Sequence, residues 1–275
     1  MPSMKILTII FLLIFFFLLY VRFLETTTAF IPSRDFFATP KSHGLDYQDV
    51  AIKTEDGVSL HGWWVPSIRI PPSKTTVLFL HGNAGNIGDR TEKIMALNHL
   101  GVHVLIIDYR GYGASQGTPS ETGLYRDAKA AFDWLRQRPE NGDHKIIVYG
   151  ESLGGAVAID LATHRSVDGL ILDSTFPCAE DVAKIVAPFV PSFLLSMKFD
   201  SLQKIENVKV PKLFMHSPAD EVIPFALGWK LYEKAPMPKE FVELGGGHND
   251  WYIASGEDIW DAIEKFLKEY EWIPS

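Results

Sequence analysis

The chain has 275 residues, of which 47% are hydrophobic, enough for one large α/β domain or two small ones. Its formal net charge is −8 and its lysines and arginines form no block. Phosphate binding needs clustered cations, so the composition argues against a nucleic-acid partner. The single cysteine, Cys178, excludes an internal disulfide bond.

The first segment, residues 1–22, is predicted to be a signal-anchor helix that spans a membrane. Residues 6–21 form an apolar run broken only by one threonine, with Lys5 and Arg22 at its ends. This run is slightly shorter than the roughly 20 residues that a span needs, but the flanking cations can reach the interfaces. The alternative is a cleaved signal peptide and a secreted domain, for which residues 27–29 offer a weak cleavage pattern. The side of the membrane that holds the domain is not predicted.

Residues 23–45 are predicted to be a tether, and residues 46–275 a single domain in which strands and helices alternate. Strands are predicted at 46–54, 58–66, 75–82, 102–110, 145–150, 169–174, 212–217 and 240–246, and helices at 89–100, 121–138, 153–163, 225–235 and 257–270. Such alternation predicts an α/β fold with a mostly parallel central sheet and helices on both faces. Functional residues of these sheets collect at the carboxyl ends of the strands.

The connection at residues 176–207 is too long for a simple crossover helix and is rich in proline and apolar side chains. Long connections in compact domains are usually functional, so this one is predicted to be a short lid over the carboxyl edge. Its aromatic residues Phe176, Phe189 and Phe193 are candidates for substrate binding. The alternative is a helical segment that packs on the sheet without a ligand role.

Residues 150–154, Gly-Glu-Ser-Leu-Gly, fit the G-x-S-x-G pattern of a nucleophilic serine on a sharp strand-to-helix turn. An apolar strand precedes the pattern and a predicted helix follows it, which is the required context. Such a turn presses the helix against the strand, so Gly150 and Gly154 stand where bulk is not tolerated. Ser152 is therefore the candidate nucleophile. A structural turn, in which the serine only caps the helix, is the alternative.

A catalytic serine needs a base and a carboxylate that orients this base. His248 follows the last predicted strand after three glycines, and it is the candidate base among the nine histidines. Asp220 lies in the loop after the preceding strand and is the candidate orienting acid. Asp173, at the end of another strand, is its rival. Ser152, Asp220 and His248 all follow strands, so we expect them at one edge of the sheet.

The loop after the strand at 75–82 reads His-Gly-Asn-Ala-Gly and is predicted to face the same edge. Acyl transfer at such a serine uses one amide from this loop and one from the residue after the nucleophile. We expect the amides of Asn83 and Leu153 to form the oxyanion hole, with Ala84 as the alternative to Asn83. The chain lacks a complete phosphate-loop or dinucleotide pattern and lacks metal-ligand spacing, so no cofactor or metal is predicted.

Four motifs occur in order: LHGNAGN at 80–86, DYRGYGAS at 108–115, GESLGGAVA at 150–158 and GGGHND at 245–250. Together they resemble the α/β-hydrolase superfamily, over about residues 45–272. More narrowly, they are similar to its single-pass, membrane-anchored serine hydrolases, relatives of protein depalmitoylases. The resemblance implies the α/β-hydrolase fold and a Ser-His-Asp triad, with the roles given above for the serine, the histidine, the aspartate and the two amides.

The sequence thus predicts a membrane-tethered serine hydrolase that cleaves carboxylic ester or thioester bonds through an acyl-enzyme. The apolar lid and the anchor favour long acyl chains, carried by a lipid or a lipidated protein. Two alternatives remain open at this point. One is a peptidase or amidase of the same fold, and the other is a scaffold that binds without catalysis.

Overall fold

The computed structural model describes residues 4–70, 73–138, 142–249, 256 and 258–274. These residues contain eight α-helices: α1 (Met4–Ala29), α2 (Thr91–His99), α3 (Glu121–Gln137), α4 (Leu153–His164), α5 (Ala179–Val186), α6 (Ser201–Lys204), α7 (Phe225–Lys234) and α8 (Asp258–Glu269). They also contain ten strands: β1 (Ile31–Pro32), β2 (Gln48–Lys53), β3 (Ser59–Val65), β4 (Thr75–Leu80), β5 (Ala84–Gly85), β6 (His103–Ile107), β7 (Lys145–Glu151), β8 (Gly169–Asp173), β9 (Lys212–His216) and β10 (Lys239–Glu243).

Eight of the strands form one sheet, in the order β10-β9-β8-β7-β4-β6-β3-β2. The strands from β10 to β6 pair in parallel, whereas β3 is antiparallel to both of its neighbours. The parallel part confirms the predicted mostly parallel sheet. It also brings the carboxyl ends of β4, β7, β8, β9 and β10 to the same edge of the sheet. The candidate site residues come after these strands in the sequence, so they lie at this edge.

Hydrophobic side chains fill both faces of this sheet. In β4, Val77 and Phe79 belong to one buried cluster, whereas Leu78 and Leu80 belong to the other, as the alternation of a strand requires. Helices α3, α4 and α7 contribute to the cluster on the Leu78 face, and α2 and α8 contribute to the opposite one. Helices therefore cover both faces, as predicted.

The N-terminal helix is longer than the predicted anchor. Helix α1 has 26 residues, which correspond to a length of about 39 Å. It is long and apolar enough to cross a membrane, and only 6% of an apolar 18-residue stretch of the helix is buried within the protein. A core helix of a soluble domain would be mostly buried, so α1 is not packed as one.

Residues 23–45 are folded onto the domain, in contrast to the predicted tether. Helix α1 continues to Ala29, and β1 then pairs in parallel with β5, in the loop that follows β4. A few residues later, Arg34 donates hydrogen bonds to the carbonyl oxygens of Gly113 and Ser115, at 3.0 and 2.7 Å. A two-residue strand has no periodicity, so the sequence pattern could not indicate this pairing.

The lid segment, defined here as residues 176–207, is folded and closed at its base. It contains α5 and α6, which are joined by irregular chain with a short 3₁₀ turn at Ser192–Leu194, and another 3₁₀ turn follows α6. Its two ends are connected, because the Ala179 N–H donates to the Lys198 carbonyl at 2.7 Å and the Leu202 N–H donates to the Pro177 carbonyl at 2.9 Å. The segment is therefore an excursion from the sheet edge between β8 and β9.

Candidate active site

Ser152 lies on the sharp turn between β7 and α4. Its backbone has φ 51° and ψ −110°, a left-handed conformation that costs a non-glycine residue about 1–3 kcal/mol. A Cβ added at Gly154 would overlap the Leu80 carbonyl oxygen, and one added at Gly150 would lie 2.6 Å from the Gly154 carbonyl oxygen. The glycines are thus required by the close approach of α4 to the strands, as predicted.

The end of β8 fixes the backbone of this turn. The Ser152 N–H donates to the Asp173 carbonyl at 2.7 Å, and the Ser152 carbonyl accepts from the Thr175 hydroxyl at 2.8 Å and from the Gly155 N–H at 3.0 Å. These bonds hold the backbone on both sides of the serine. They stabilise the strained conformation that presents the side chain at the sheet edge.

Asp220 and His248 come together from the ends of two different strands. Asp220 follows β9 and His248 follows β10, and the His248 Nδ1 lies 2.7 Å from the Asp220 Oδ2. A carboxylate can only accept, so Nδ1 carries the proton and Nε2 of the neutral ring is free of one. The other carboxylate oxygen accepts the N–H groups of Val222 and Ile223, at 2.9 and 2.7 Å. The aspartate is thereby held in place while it orients the imidazole.

Asp220 and His248 each stabilise the charged form of the other. Burial alone would raise the pKa of Asp220, but hydrogen bonds from His216 and His248 bring it well below its ordinary value. Burial alone would lower the pKa of His248, but the bond to Asp220 and its charge raise it above the ordinary value. The carboxylate is therefore ionised at neutral pH and stabilises a protonated imidazole.

Two neighbours of the pair were not assigned to the site from the sequence. His216, inside β9, has its Nε2 3.3 Å from the Asp220 Oδ2 and 2.8 Å from the Ile223 carbonyl oxygen. Glu221 accepts the backbone N–H of His248 at 3.0 Å. Both contacts fix the loops that carry the pair. Their only sequence signal is adjacency to strand ends.

Asp173, the rival acid, forms hydrogen bonds with other side chains. Its carboxylate is fully buried and accepts from the Tyr149 hydroxyl at 2.7 Å, the Ser174 hydroxyl at 3.0 Å and the Lys93 ammonium at 3.3 Å. The imidazole of His248 instead bonds Asp220. The geometry therefore favours Asp220 as the orienting acid.

A buried charge cluster beneath the turn also escaped the sequence reasoning. Glu151, next to the serine, lies 3.3 Å from Arg90 Nε and 3.4 Å from Lys93 Nζ. Burial alone would raise the pKa of Glu151, but the two cations bring it well below its ordinary value. These pairs tie α2 and the residue before it to the end of β7.

The described residues include no group of three or more His, Cys, Asp or Glu side chains that could hold a metal ion.

The two predicted oxyanion residues lie directly after Ser152 and in the loop that follows β4. Leu153 is the first residue of α4, where backbone N–H groups have no partner within the helix. The Asn83 carbonyl accepts from the Ile31 N–H at 3.0 Å and from the Tyr112 hydroxyl at 2.8 Å, and its side chain donates to the Thr28 carbonyl at 3.3 Å. The loop is thus held by the chain that leaves α1. The oxyanion role of the two amides stays a prediction.

The three candidate substrate-binding aromatics have different surroundings. Phe176 is buried in the core and makes an edge contact with Phe199, with ring centroids 6.3 Å apart. Phe189 and Phe193 are exposed on the surface of the lid segment. The core position of Phe176 gives it a packing role, while the other two side chains are largely exposed to solvent.

Comparisons with known proteins agree over most of the chain. A family model described as serine aminopeptidase, S33, matches residues 71–203. Alpha/beta hydrolase domain-containing protein WAV2 of Arabidopsis thaliana is 34% identical over 86% of this chain and 84% of its own length. YNL320W of Saccharomyces cerevisiae, named as a membrane protein, is 35% identical over 88% of this chain and 86% of its own length.

Solved structures share the architecture. The esterase Pf2001 of Pyrococcus furiosus superposes with a TM-score of 0.73 at 24% identity, covering 88% of this chain and 98% of that one. An alpha-beta hydrolase from Vibrio vulnificus superposes with a TM-score of 0.67 at 26% identity, covering 82% of each chain. The shared fold therefore extends over nearly the whole domain.

Proposed function

Since the chain belongs to the α/β-hydrolase superfamily, we propose that it is a membrane-tethered serine hydrolase acting on carboxylic esters or thioesters. The proposal rests on the hydrogen-bonded pair of Asp220 and His248. Each of them follows a strand that ends at the same sheet edge as the strand before Ser152. A binding scaffold would have no need for an ionised carboxylate that orients a histidine at this edge.

In the proposed mechanism, the Ser152 hydroxyl attacks the substrate carbonyl while the His248 Nε2 takes its proton. Asp220 keeps the proton of the imidazole on Nδ1 and stabilises the imidazolium that forms. The Leu153 and Asn83 amides donate to the oxyanion of the tetrahedral intermediate. The imidazolium then protonates the leaving alcohol or thiol, and water attacks the acyl-enzyme by the same route.

Labelling with a fluorophosphonate probe tests the nucleophile. We expect covalent labelling of the wild type and none of Ser152→Ala. Ser174→Ala is the matched control, because Ser174 is also buried, follows the neighbouring strand and has a positive φ of 50°. Equal labelling of wild type and Ser152→Ala, or loss of labelling only in Ser174→Ala, would refute the assignment.

A peptidase or amidase is the second candidate, favoured by the aminopeptidase description of the matching family model. An ester and thioester panel graded by acyl-chain length, run beside a panel of short peptides, separates the two. We propose esters because the superposing structure from Pyrococcus furiosus is an esterase. Faster turnover of the peptides than of every acyl substrate would reverse this choice.

We also propose that α1 is retained as the anchor. Cleavage after Ala29 would remove Thr28, whose carbonyl accepts from the Asn83 side chain, and Glu25, which bonds the lid segment. Carbonate extraction of the full-length protein should therefore leave it in the membrane pellet. Release into the supernatant would indicate a cleaved signal peptide instead.

A further inference from the structure

The lid segment is bonded directly to the last turns of α1. The Glu25 carboxylate accepts hydrogen bonds from the Ser196 N–H at 2.7 Å, the Ser196 hydroxyl at 2.6 Å and the Met197 N–H at 2.7 Å. Arg22 pairs with the same carboxylate at 2.8 Å. Three donors on one carboxylate fix the position of this part of the lid segment relative to the helix axis.

The position of Glu25 along α1 places this junction at the surface of a membrane. From Ile6 to Leu24 the helix is apolar apart from Thr8 and Arg22. At about 1.5 Å per residue, that stretch is roughly 28 Å long, close to the thickness of about 30 Å of a bilayer's hydrocarbon core. Glu25 then falls at the boundary between hydrocarbon and headgroups, and Ser196 lies there with it.

Four exposed apolar side chains lie in the part of the lid segment that precedes this junction. We define the lid patch as Ile185, Val186, Phe189 and Phe193, which are 45%, 55%, 68% and 85% exposed. Phe193 is three residues from Ser196, so it lies within about 11 Å of the junction. The headgroup region is about 5–8 Å deep on each side of a bilayer, so Phe193 reaches the lipid if it lies on the membrane side of the junction.

The lid patch is also connected to the catalytic turn. The lid segment begins directly after Thr175, whose hydroxyl donates to the Ser152 carbonyl at 2.8 Å. Its first aromatic residue, Phe176, is packed in the core. One continuous stretch of chain thus leads from the serine turn to the exposed patch and back to the junction with α1.

We propose that the lid patch docks into the surface of the bilayer that α1 crosses, so that the enzyme takes its acyl substrate from that membrane. The proposal rests on the proposed anchor and hydrolase function. Apolar and aromatic side chains bind at the headgroup boundary because their burial there removes them from water. The hydrogen bonds between Glu25 and the lid segment would hold the patch against the lipid.

Fluorescence quenching in proteoliposomes tests the contact directly. Full-length protein carrying Cys178→Ser and Phe193→Cys is labelled with an environment-sensitive fluorophore and reconstituted in phosphatidylcholine vesicles that contain doxyl-labelled lipid. The matched control is Ile70→Cys, because Ile70 is 95% exposed and precedes β4, at the opposite edge of the sheet. We expect several-fold stronger quenching at position 193 than at position 70, and equal quenching overturns the proposal.

A second pair of variants links the contact to turnover. The double variant Ile185→Ser and Val186→Ser removes two apolar side chains from the patch, and it should slow hydrolysis of a vesicle-embedded long-chain ester by at least about tenfold. Hydrolysis of a soluble short-chain ester should stay unchanged, as it should for Ile70→Ser on both substrates. Equal loss on both substrates would mean that the patch only supports the fold.

The quenching experiment does not depend on catalysis, so the two proposals fail separately. Fluorophosphonate labelling of Ser152 without quenching at position 193 keeps the hydrolase and rejects the docking. Quenching at position 193 without labelling keeps the docking surface and rejects the serine hydrolase.

Discussion

Replacing Asp220 with asparagine removes one charge from the proposed triad while keeping the shape of the side chain. In the wild type, one carboxylate oxygen accepts the N–H groups of Val222 and Ile223, and the other accepts the His248 Nδ1–H. An asparagine has only one oxygen to offer to these three donors. Whichever way its amide is turned, an NH₂ group must face a donor.

Both orientations impair the enzyme. If the oxygen keeps the two backbone donors, His248 must move its proton to Nε2, and the base can no longer accept a proton from Ser152. A wrong tautomer of this kind costs about 10⁴ in kcat, or about 5.4 kcal/mol of barrier. If the oxygen turns to His248, two backbone N–H groups lose charge-assisted bonds of about 1.5–3 kcal/mol each, and the loop loses its support.

The assay is hydrolysis of a short p-nitrophenyl ester, with kcat and KM measured separately and thermal unfolding as the control for folding. We expect Asp220→Asn to lower kcat by about 10⁴ with little change in KM. Asp173→Asn is the matched variant. It should lower the Tm clearly and change kcat much less than Asp220→Asn does. If Asp220→Asn keeps a tenth or more of the wild-type kcat while Asp173→Asn loses activity, the orienting acid is Asp173.

Three further predictions concern the same edge of the sheet. The value of kcat/KM should fall as pH decreases through a point above 6.5, because the pKa of His248 is raised and only the neutral ring accepts a proton; a pH–rate profile with a lower midpoint contradicts this. Gly154→Ala should lower the free energy of unfolding by about 3 kcal/mol and abolish probe labelling, since the methyl group would overlap the Leu80 carbonyl; wild-type urea unfolding would refute the packing argument. Tyr112→Phe removes a hydrogen bond to Asn83, worth about 1 kcal/mol, and should lower kcat about fivefold at constant KM; an unchanged kcat would separate the loop from catalysis.

The sequence was most informative where chemistry depends on local geometry. The tight turn at Ser152 needs glycines two residues on either side, and the apolar run before the motif and the helical pattern after it supply the context that the motif requires. The positions of Asp220 and His248 followed from a second rule, that strands of a parallel sheet end at one edge. The first rule uses only neighbouring residues, and the second needs only the ends of the predicted strands, although it left Asp173 as a rival acid.

Contacts between distant segments could not be predicted in this way. The cations Arg90 and Lys93 reach Glu151 across about 60 residues of sequence, and no spacing rule links them. The choice between Asp220 and Asp173 likewise depended on which carboxylate was already occupied by buried partners. The bonds that residues 23–45 make to the domain were not predicted for the same reason, because bonds such as those of Ser33 and Arg34 go to loops 50 or more residues away.

The pairing of β1 with β5 has a practical consequence for protein production. Removal of the hydrophobic N-terminus is the usual route to a soluble enzyme, and the sequence would suggest starting at about residue 46. Such a fragment would lack the Ile31 N–H that bonds the Asn83 carbonyl and the Arg34 side chain that bonds the 113–115 loop. A fragment that starts at Glu25 would keep both, so the choice of the first codon decides whether a purified domain retains the hydrogen bonds that hold these two loops.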